Sequence, residues 1–303
     1  MDIYSLGEMV IDFIPGSEPH SYLRNAGGAP ANVAIAVARN GLSAGFCGKV
    51  GDDDFGRFLQ ETLRTDGVEI LCPERCREAV TTMAFVNLTP EGERSFTFAR
   101  KPGADMMLTV ADVKEADLDR SLIVHTGSCA LSAGTTAQAT EHLLRRGSEK
   151  GLIVSFDMNY RNLMWNDDSA AAVAAVRRNL PYVDLLKLSQ EEADMLGGEA
   201  MLPELARENN IAVLIETLGA DGAMCLFRGE KLYLQGMKAD TVADTTGAGD
   251  AFWGGFLSKL LLLGVRRVED ITREALREAI AYGNVSGCLC VQQKGAIASL
   301  PTR

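Results

Sequence analysis

Basic charge is scarce in this chain: Lys and Arg number 30 against 41 Asp and Glu, and no run of five basic residues occurs. The resulting net charge of −11 excludes the electrostatic footprint of a nucleic-acid binder or of a protein held on an anionic membrane. Long hydrophobic runs are missing as well. The longest apolar stretch, near residues 256 to 263, is broken by Lys259 and is too short to span a bilayer. The opening residues Met1-Asp-Ile-Tyr-Ser5 carry neither a basic n-region nor an apolar segment, so a cytoplasmic protein is expected. Histidine is limited to His20, His125 and His142, too scattered for a metal cluster or an acid–base relay. The seven cysteines cannot all pair, and Cys72-x3-Cys76 and Cys288-x-Cys290 lack the second pair of a tetrahedral zinc site, so reduced thiols are expected. No G-x-G-x-x-G follows the first predicted strand, and Gly27-Gly28 has a different spacing, which excludes a nicotinamide-dependent Rossmann enzyme.

What is present is a chain of 303 residues, 47% hydrophobic, long enough for a large core and for two domains or one large α/β unit. Short apolar runs at Leu122 to Thr126, Leu152 to Phe156, Val183 to Leu188 and Ala212 to Thr217 alternate with amphipathic stretches. Ile3 to Leu6, a helix from Pro30 to Asn40 and a strand from Ala44 to Val50 continue the pattern, and a last helix is predicted over Arg273 to Val291. Such alternation predicts an α/β fold, a central, mostly parallel sheet flanked by helices on both faces, with ligands beyond the carboxyl ends of the strands. Residues 12–26 and 79–101 break it with period-2 patterning around turns such as Pro90-Glu-Gly92. They are expected to form a discontinuous β-sheet lid on a large domain built from 1–11, 27–78 and 102–303.

Chemistry concentrates in Asp244-Thr-Thr-Gly-Ala-Gly-Asp250 and the apolar helix after it. Gly247 and Gly249 allow consecutive N–H groups to face one anion at a helix N-terminus. A carboxylate such as Asp250 would repel that anion, so its natural role is a base taking a hydroxyl proton; a capped helix with glycine packing is the plain alternative. Asn25-Ala-Gly-Gly-Ala-Pro-Ala-Asn32 opens another helix, where Gly28 and Asn32 could meet sugar hydroxyls or merely pack closely on a strand. Asp12 ends the stretch Gly7 to Asp12 with two acceptor oxygens. Arg161, in Asp157-Met-Asn159-Tyr-Arg161, could clasp a phosphate, with a surface ion pair as the alternative for it and for Lys187. Thr217-Leu-Gly219-Ala-Asp-Gly222 reads as a turn beside a nucleotide or as a simple hairpin.

Together, Ala26-Gly-Gly-Ala-Pro-Ala-Asn32 and Asp244-Thr-Thr-Gly-Ala-Gly-Asp250 closely resemble the two signatures of the ribokinase-like, phosphofructokinase-B type carbohydrate kinases. The likeness extends to Gly51-Asp-Asp-Asp-Phe-Gly56 and Lys294-Gly-Ala296. It implies a ribokinase-like fold and ATP-dependent phosphorylation of a sugar's primary hydroxyl. Asp250 would be the base, with the backbone of Gly247, Ala248 and Gly249 as anion hole, and Asp12, Gly28 and Asn32 would grip the sugar. Asn159, Arg161, Lys187 and Glu192 match the phosphate and magnesium side, Glu192 through water. Thr217, Gly219, Gly222 and Asn284 match the adenosine side. A potassium site is implied near Asp244, Thr246 and Gly295, as is a homodimer formed through the lid.

One departure stands out. The family's Asn-x-x-Glu element is here Ser189-Gln-Glu-Glu192, a form found among fructokinase-like members. The segment Phe98-Ala-Arg-Lys-Pro-Gly-Ala-Asp105 is similar to a bacterial fructokinase stretch in which Arg100 would reach from the lid to the substrate. Fructose is therefore the expected acceptor, ahead of 2-keto-3-deoxygluconate and a ribonucleoside such as aminoimidazole riboside. A loose transition state asks little of the base, so no unusual pKa is required of Asp250. The competing reading from another class is a sugar-binding regulator without turnover, which the intact Asp250, Gly247 and Gly249 disfavour.

Overall fold

The computed structural model describes residues 1–18, 20–88 and 94–303. Among them thirteen strands occur in chain order: β1 Ile3–Leu6, β2 Val10–Pro15, β3 Tyr22–Gly27, β4 Ala44–Cys47, β5 Glu69–Ile70, β6 Met83–Leu88, β7 Arg94–Ala99, β8 Ile123–Gly127, β9 Ile153–Asp157, β10 Leu185–Ser189, β11 Val213–Thr217, β12 Gly222–Phe227 and β13 Glu230–Gln235. Nine of them make one sheet in the order β13-β12-β11-β10-β9-β8-β1-β4-β5. It is parallel from β5 to β11, and β12 and β13 add an antiparallel edge.

Alternation of side chains across this sheet builds two cores. Ile3, Ile123 and Ile153 enter one, together with Trp253 and Phe256; their neighbours Tyr4, Val124 and Val154 enter the other. Because both faces are covered by helices, the strands read as continuous apolar runs rather than alternating ones. None of the helices among the described residues is long and apolar enough to cross a membrane.

Strand order reverses beside β1: the chain runs outward through β4 and β5, then returns to β8 and proceeds the other way. A crevice outside the carboxyl ends of the strands opens at such a reversal. The helix Ala29–Arg39 packs against the helix Ala248–Leu262 beside this crevice.

The remaining four strands form a separate sheet ordered β3-β2-β6-β7. Its period-2 pattern sorts two faces. Phe13 stacks on Phe85 with centroids 4.8 Å apart and Tyr22 stands edge-on to both, while the intervening Val10, Asp12, Ile14, Ala84 and Val86 face the crevice. The strands of the small sheet start at Val10 and end at Gly27, slightly outside the expected 12–26. The expected turn Pro90-Glu-Gly92 lies outside the described residues.

Two boundaries in the large sheet differ by more than one residue. The strand expected over Ala44 to Val50 stops at Cys47, after which Lys49 turns to pair with Asp112 at 2.9 Å. The strand expected from Val183 starts at Leu185 because Leu180 to Tyr182 form a 3-10 turn that carries the chain past Val183. All seven cysteines are unpaired.

Candidate active site

A cavity of about 740 Å³ lies between the two sheets. Residues at or just past the carboxyl ends of the strands make its floor: Glu8 after β1, Cys129 after β8, Asn159 and Arg161 after β9, Ser189 of β10 and Thr217 of β11. The helix Ala248–Leu262 enters from the side. Its N-cap Gly247 sits in the left-handed region at φ +82°, and a Cβ there would stand 3.0 Å from Ala296 Cα, so both backbone and space call for glycine. No side chain caps the helix there; Ala248 N–H turns back to Thr245 O at 3.3 Å, and the next N–H groups stand at the positive end of the helix.

Asp250 lies in that first turn and is buried. Asn32 Nδ2 donates to its Oδ2 at 2.7 Å and Asn159 Nδ2 to its Oδ1 at 3.2 Å. Burial pushes the Asp250 carboxyl up to about 6, with Asp157 adding to the rise and the Asn32 amide, Lys187 and Arg161 opposing it. Desolvation outweighs the donors around it. Asp12 is raised in the same way to about 6, by burial first, against the pull of Arg161 and with the push of Asp250 and Asp244.

Lys187 is buried in β10 and grips Asp157 at 2.7 and 2.9 Å. Burial works against its charge, yet the carboxylates of Asp157, Glu192 and Asp250 hold its pKa above the usual value. A Cβ on Gly249 would lie 3.3 Å from Lys187 Nζ, so this ammonium borders the bared backbone turn. Arg161 lines the cavity too, its Nη1 donating to Tyr160 O at 3.0 Å.

The departure at Ser189 has a local explanation. Ser189 Oγ accepts from Glu192 N at 3.2 Å and Glu192 Oε2 accepts from Ser189 N at 2.8 Å, a reciprocal cap on the helix Gln190–Met195. Glu192 Oε1 accepts from Tyr160 N at 2.6 Å, so both carboxylate oxygens already hold backbone. Asp244 is similarly engaged: Oδ1 accepts from Thr246 N and Oγ1 at 3.0 and 2.7 Å, and Oδ2 from Gly295 N at 3.2 Å. Asp244, Thr246 and Gly295 thus meet in one knot at the cavity wall.

Thr217 lines the cavity, whereas Gly219, Gly222 and Asn284 sit on a shelf beyond it. Gly222 pairs with Gln235 across β12 and β13, and Asn284 Nδ2 donates to Gln235 O at 3.2 Å. Ala248 contributes its place in the helical turn and is not part of the wall.

Arg100 does not reach the cavity wall. Its side chain is 9% exposed and its guanidinium pairs with Asp105 at 2.7 Å, with further bonds of 3.2 Å to Ser132 Oγ and Met164 O. A buried guanidinium needs a charged partner, and Asp105, five residues on, supplies one locally. Three residues at the site were not foreseen: the wall residues Glu8 and Cys129, and Asp157 behind Lys187. Glu8 and Asp157 are acids directly after or at the end of parallel strands, a position that carries ligand residues in α/β sheets; Cys129 carried no comparable signal.

The arrangement joins a buried base, a bared helix turn and a buried ammonium, which together suit proton removal beside a transferring anion. Comparison with known proteins agrees with that chemistry. The model of the pfkB family carbohydrate kinase matches residues 1–303. A fructokinase of Escherichia coli is 38% identical over 99% of this chain and 96% of its own length. Among solved structures, a fructokinase of Xylella fastidiosa with bound ATP superposes with a TM-score of 0.91 at 32% identity, covering 99% of this chain and 95% of that one. An aminoimidazole riboside kinase of Salmonella enterica, complexed with aminoimidazole riboside and an ATP analog, reaches 0.86 at 31% identity, covering 100% and 97%. A match over the whole length, with both signature segments converging on one cavity, places this chain in the pfkB family of carbohydrate kinases.

Proposed function

We propose that this chain is an ATP-dependent fructokinase that transfers the γ-phosphoryl group to a primary hydroxyl of the sugar. The observation that carries the reading is Asp250, a buried carboxylate held by two amides at the mouth of a helix whose first turn is bare backbone. Asp250 takes the hydroxyl proton, and the N–H groups around Gly247 and Gly249 receive charge developing on the transferring group. Asp12, Gly28 and Asn32 hold the sugar. Lys187, Asn159 and Arg161 face the phosphates, and the shelf of Gly219, Gly222 and Asn284 beside Thr217 receives the adenosine.

Magnesium fits this donor set only as a guest of the nucleotide. Among the described residues no three His, Cys, Asp or Glu side chains form a metal cage. Magnesium keeps several waters and binds chiefly through substrate phosphates, so Glu192 would meet it through water. The Asp244, Thr246 and Gly295 knot offers hard oxygen atoms suited to potassium. Charge neutralisation of the phosphates is what a bound magnesium would supply.

The small sheet is read as a lid, residues 12–26 and 79–101, closing on the body formed by 1–11, 27–78 and 102–303. Closure would exclude water that otherwise competes for the phosphoryl group. Its exposed Tyr22 supports a homodimer through this sheet, and net negative charge supports a cytoplasmic, unattached protein.

The test is ADP release with magnesium-ATP, with and without potassium, against fructose, 2-keto-3-deoxygluconate, ribose, aminoimidazole riboside and other ribonucleosides. Turnover on fructose above the rest is the expected result. Preference for another member moves the substrate and keeps the mechanism; sugar binding with no ADP on any member overturns the kinase reading in favour of a regulator.

A further inference from the structure

Glu8 is a carboxyl without enough partners. It lies two residues past β1, is 6% exposed and forms part of the cavity wall. Its Oε1 accepts a long bond from Ala29 N, 3.3 Å, in the first turn of the helix Ala29–Arg39. Its Oε2 is buried and has no hydrogen-bond partner. A buried polar atom left so costs about 1–3 kcal/mol, and such atoms in native proteins are nearly always satisfied by something.

The neighbourhood offers Oε2 no side-chain donor. The nearby cation Arg100 spends its donors on Asp105, Ser132 and Met164 O. Burial pushes the Glu8 carboxyl up to about 7, with Asp105 raising it further and its own backbone N–H, Arg100 and the Ala29 N–H pulling it down. Packing holds Glu8 where it is: Gly28 is at φ +118°, and a Cβ on it would collide with the Glu8 carbonyl. Glu8 and Gly28 are therefore fixed against each other at the same wall that carries Asp12 and Asn32.

We propose that Glu8 is a sugar-contacting, specificity-determining residue whose Oε2 accepts a hydrogen bond from an acceptor hydroxyl other than the one phosphorylated. The proposal rests on the sugar-kinase reading. The reacting hydroxyl goes to Asp250, which Asn32 and Asn159 hold, so Glu8, anchored on Ala29 N, is left for another hydroxyl of the sugar. A polyol is the ligand chemistry that suits an unfilled acceptor between apolar walls, and loss of the matching hydroxyl leaves the site's own group unpaired again.

The experiment is a cycle of Glu8→Gln and Glu8→Ala against wild type, using fructose and its monodeoxy analogues, with KM for ATP measured alongside. Wild type turning over none of the sugars would sink the function, not this assignment. With an active wild type, the expected result is a sugar KM raised about 10-fold or more by Glu8→Ala. ATP KM should stay unmoved, and one deoxy analogue should be penalised in wild type but not in the variants. Equal penalties for every analogue in wild type and variants, or ATP KM rising in step with sugar KM, overturn it by leaving Glu8 a scaffold for Ala29 alone. Should the variants not fold, a structure of wild type with bound sugar decides: Oε2 within about 3.2 Å of a sugar hydroxyl upholds the proposal, and Oε2 facing only water or protein overturns it.

Discussion

Asn32 Nδ2 donates to Asp250 Oδ2 at 2.7 Å, tying the first turn of one helix to the first turn of another across 218 residues of sequence. A residue read as a sugar ligand therefore also fixes the base. Asn32→Ala should lower kcat on the order of 10²-fold, the cost of a misplaced reacting group, as well as raise sugar KM. Steady-state kinetics decide: an unchanged kcat with only KM raised would leave Asn32 a sugar ligand and nothing more.

Asp250→Asn should reduce turnover by roughly 10²-fold to 10⁴-fold while sugar binding persists. It should also stabilise the protein. The folded carboxyl titrates at about 6 against an ordinary value of 3.8, so the folded chain holds the proton more tightly. The charged form therefore costs stability, increasingly as pH rises from about 4 to 6 and in full above that. Asn32 Oδ1 is buried without a partner and can accept from the new amide once turned. A melting temperature above wild type at about pH 7.5, with the gap closing toward about pH 4, is the expected outcome; on the order of 1–3 kcal/mol is involved. A variant less stable than wild type under the same neutral conditions contradicts the burial argument.

The pH–rate profile should bend on the acid side near 6. Asp250 must be ionised to take a proton and Asp12 to accept hydroxyls, and both are raised to about 6. The logarithm of kcat/KM should fall with a slope approaching two, since neighbouring carboxylates titrate as a pair. A flat profile down to about pH 5 would show that neither needs to be ionised.

Lys187→Met leaves Asp157 buried and alone, which should cost about 3–5 kcal/mol. Adding Asp157→Leu should recover much of that stability without recovering activity, because the ammonium beside Gly249 stays absent. Chemical denaturation read together with ATP turnover separates the two roles. Recovery of both in the double variant would reduce Lys187 to a scaffold.

Much of the large sheet could be read in advance because fully buried parallel strands advertise themselves: Ile153 to Asp157 and Val213 to Thr217 stand as apolar runs between amphipathic helices. Asp250 and Asn32 were likewise legible as polar residues near glycines at helix starts, whereas Asp12, read as ending the first strand, lies inside β2 and still faces the same cavity. For Arg100 the spacing did not reveal that Asp105, Ser132 and Met164 O hold its guanidinium, because those partners are three-dimensional neighbours. The same holds for Asn159, assigned to the phosphate side, whose amide also touches Asp250. Glu8 lay in plain view in Gly7 to Asp12, but its missing partner is a fact of packing alone.

The cavity is walled in part by Glu8, near the start of the chain, and by Gly295 and Ala296, near its end, and Arg39 Nη1 clasps the carbonyls of Ile297 and Leu300 at 2.8 and 2.7 Å. The cavity thus joins segments far apart in the chain: Asn32 and Asp250, which touch, are 218 residues apart, and Gly295 and Ala296 follow later still. The strands up to β11 alone therefore carry neither the base nor the helix turn, and the site forms only when the later segment packs against them.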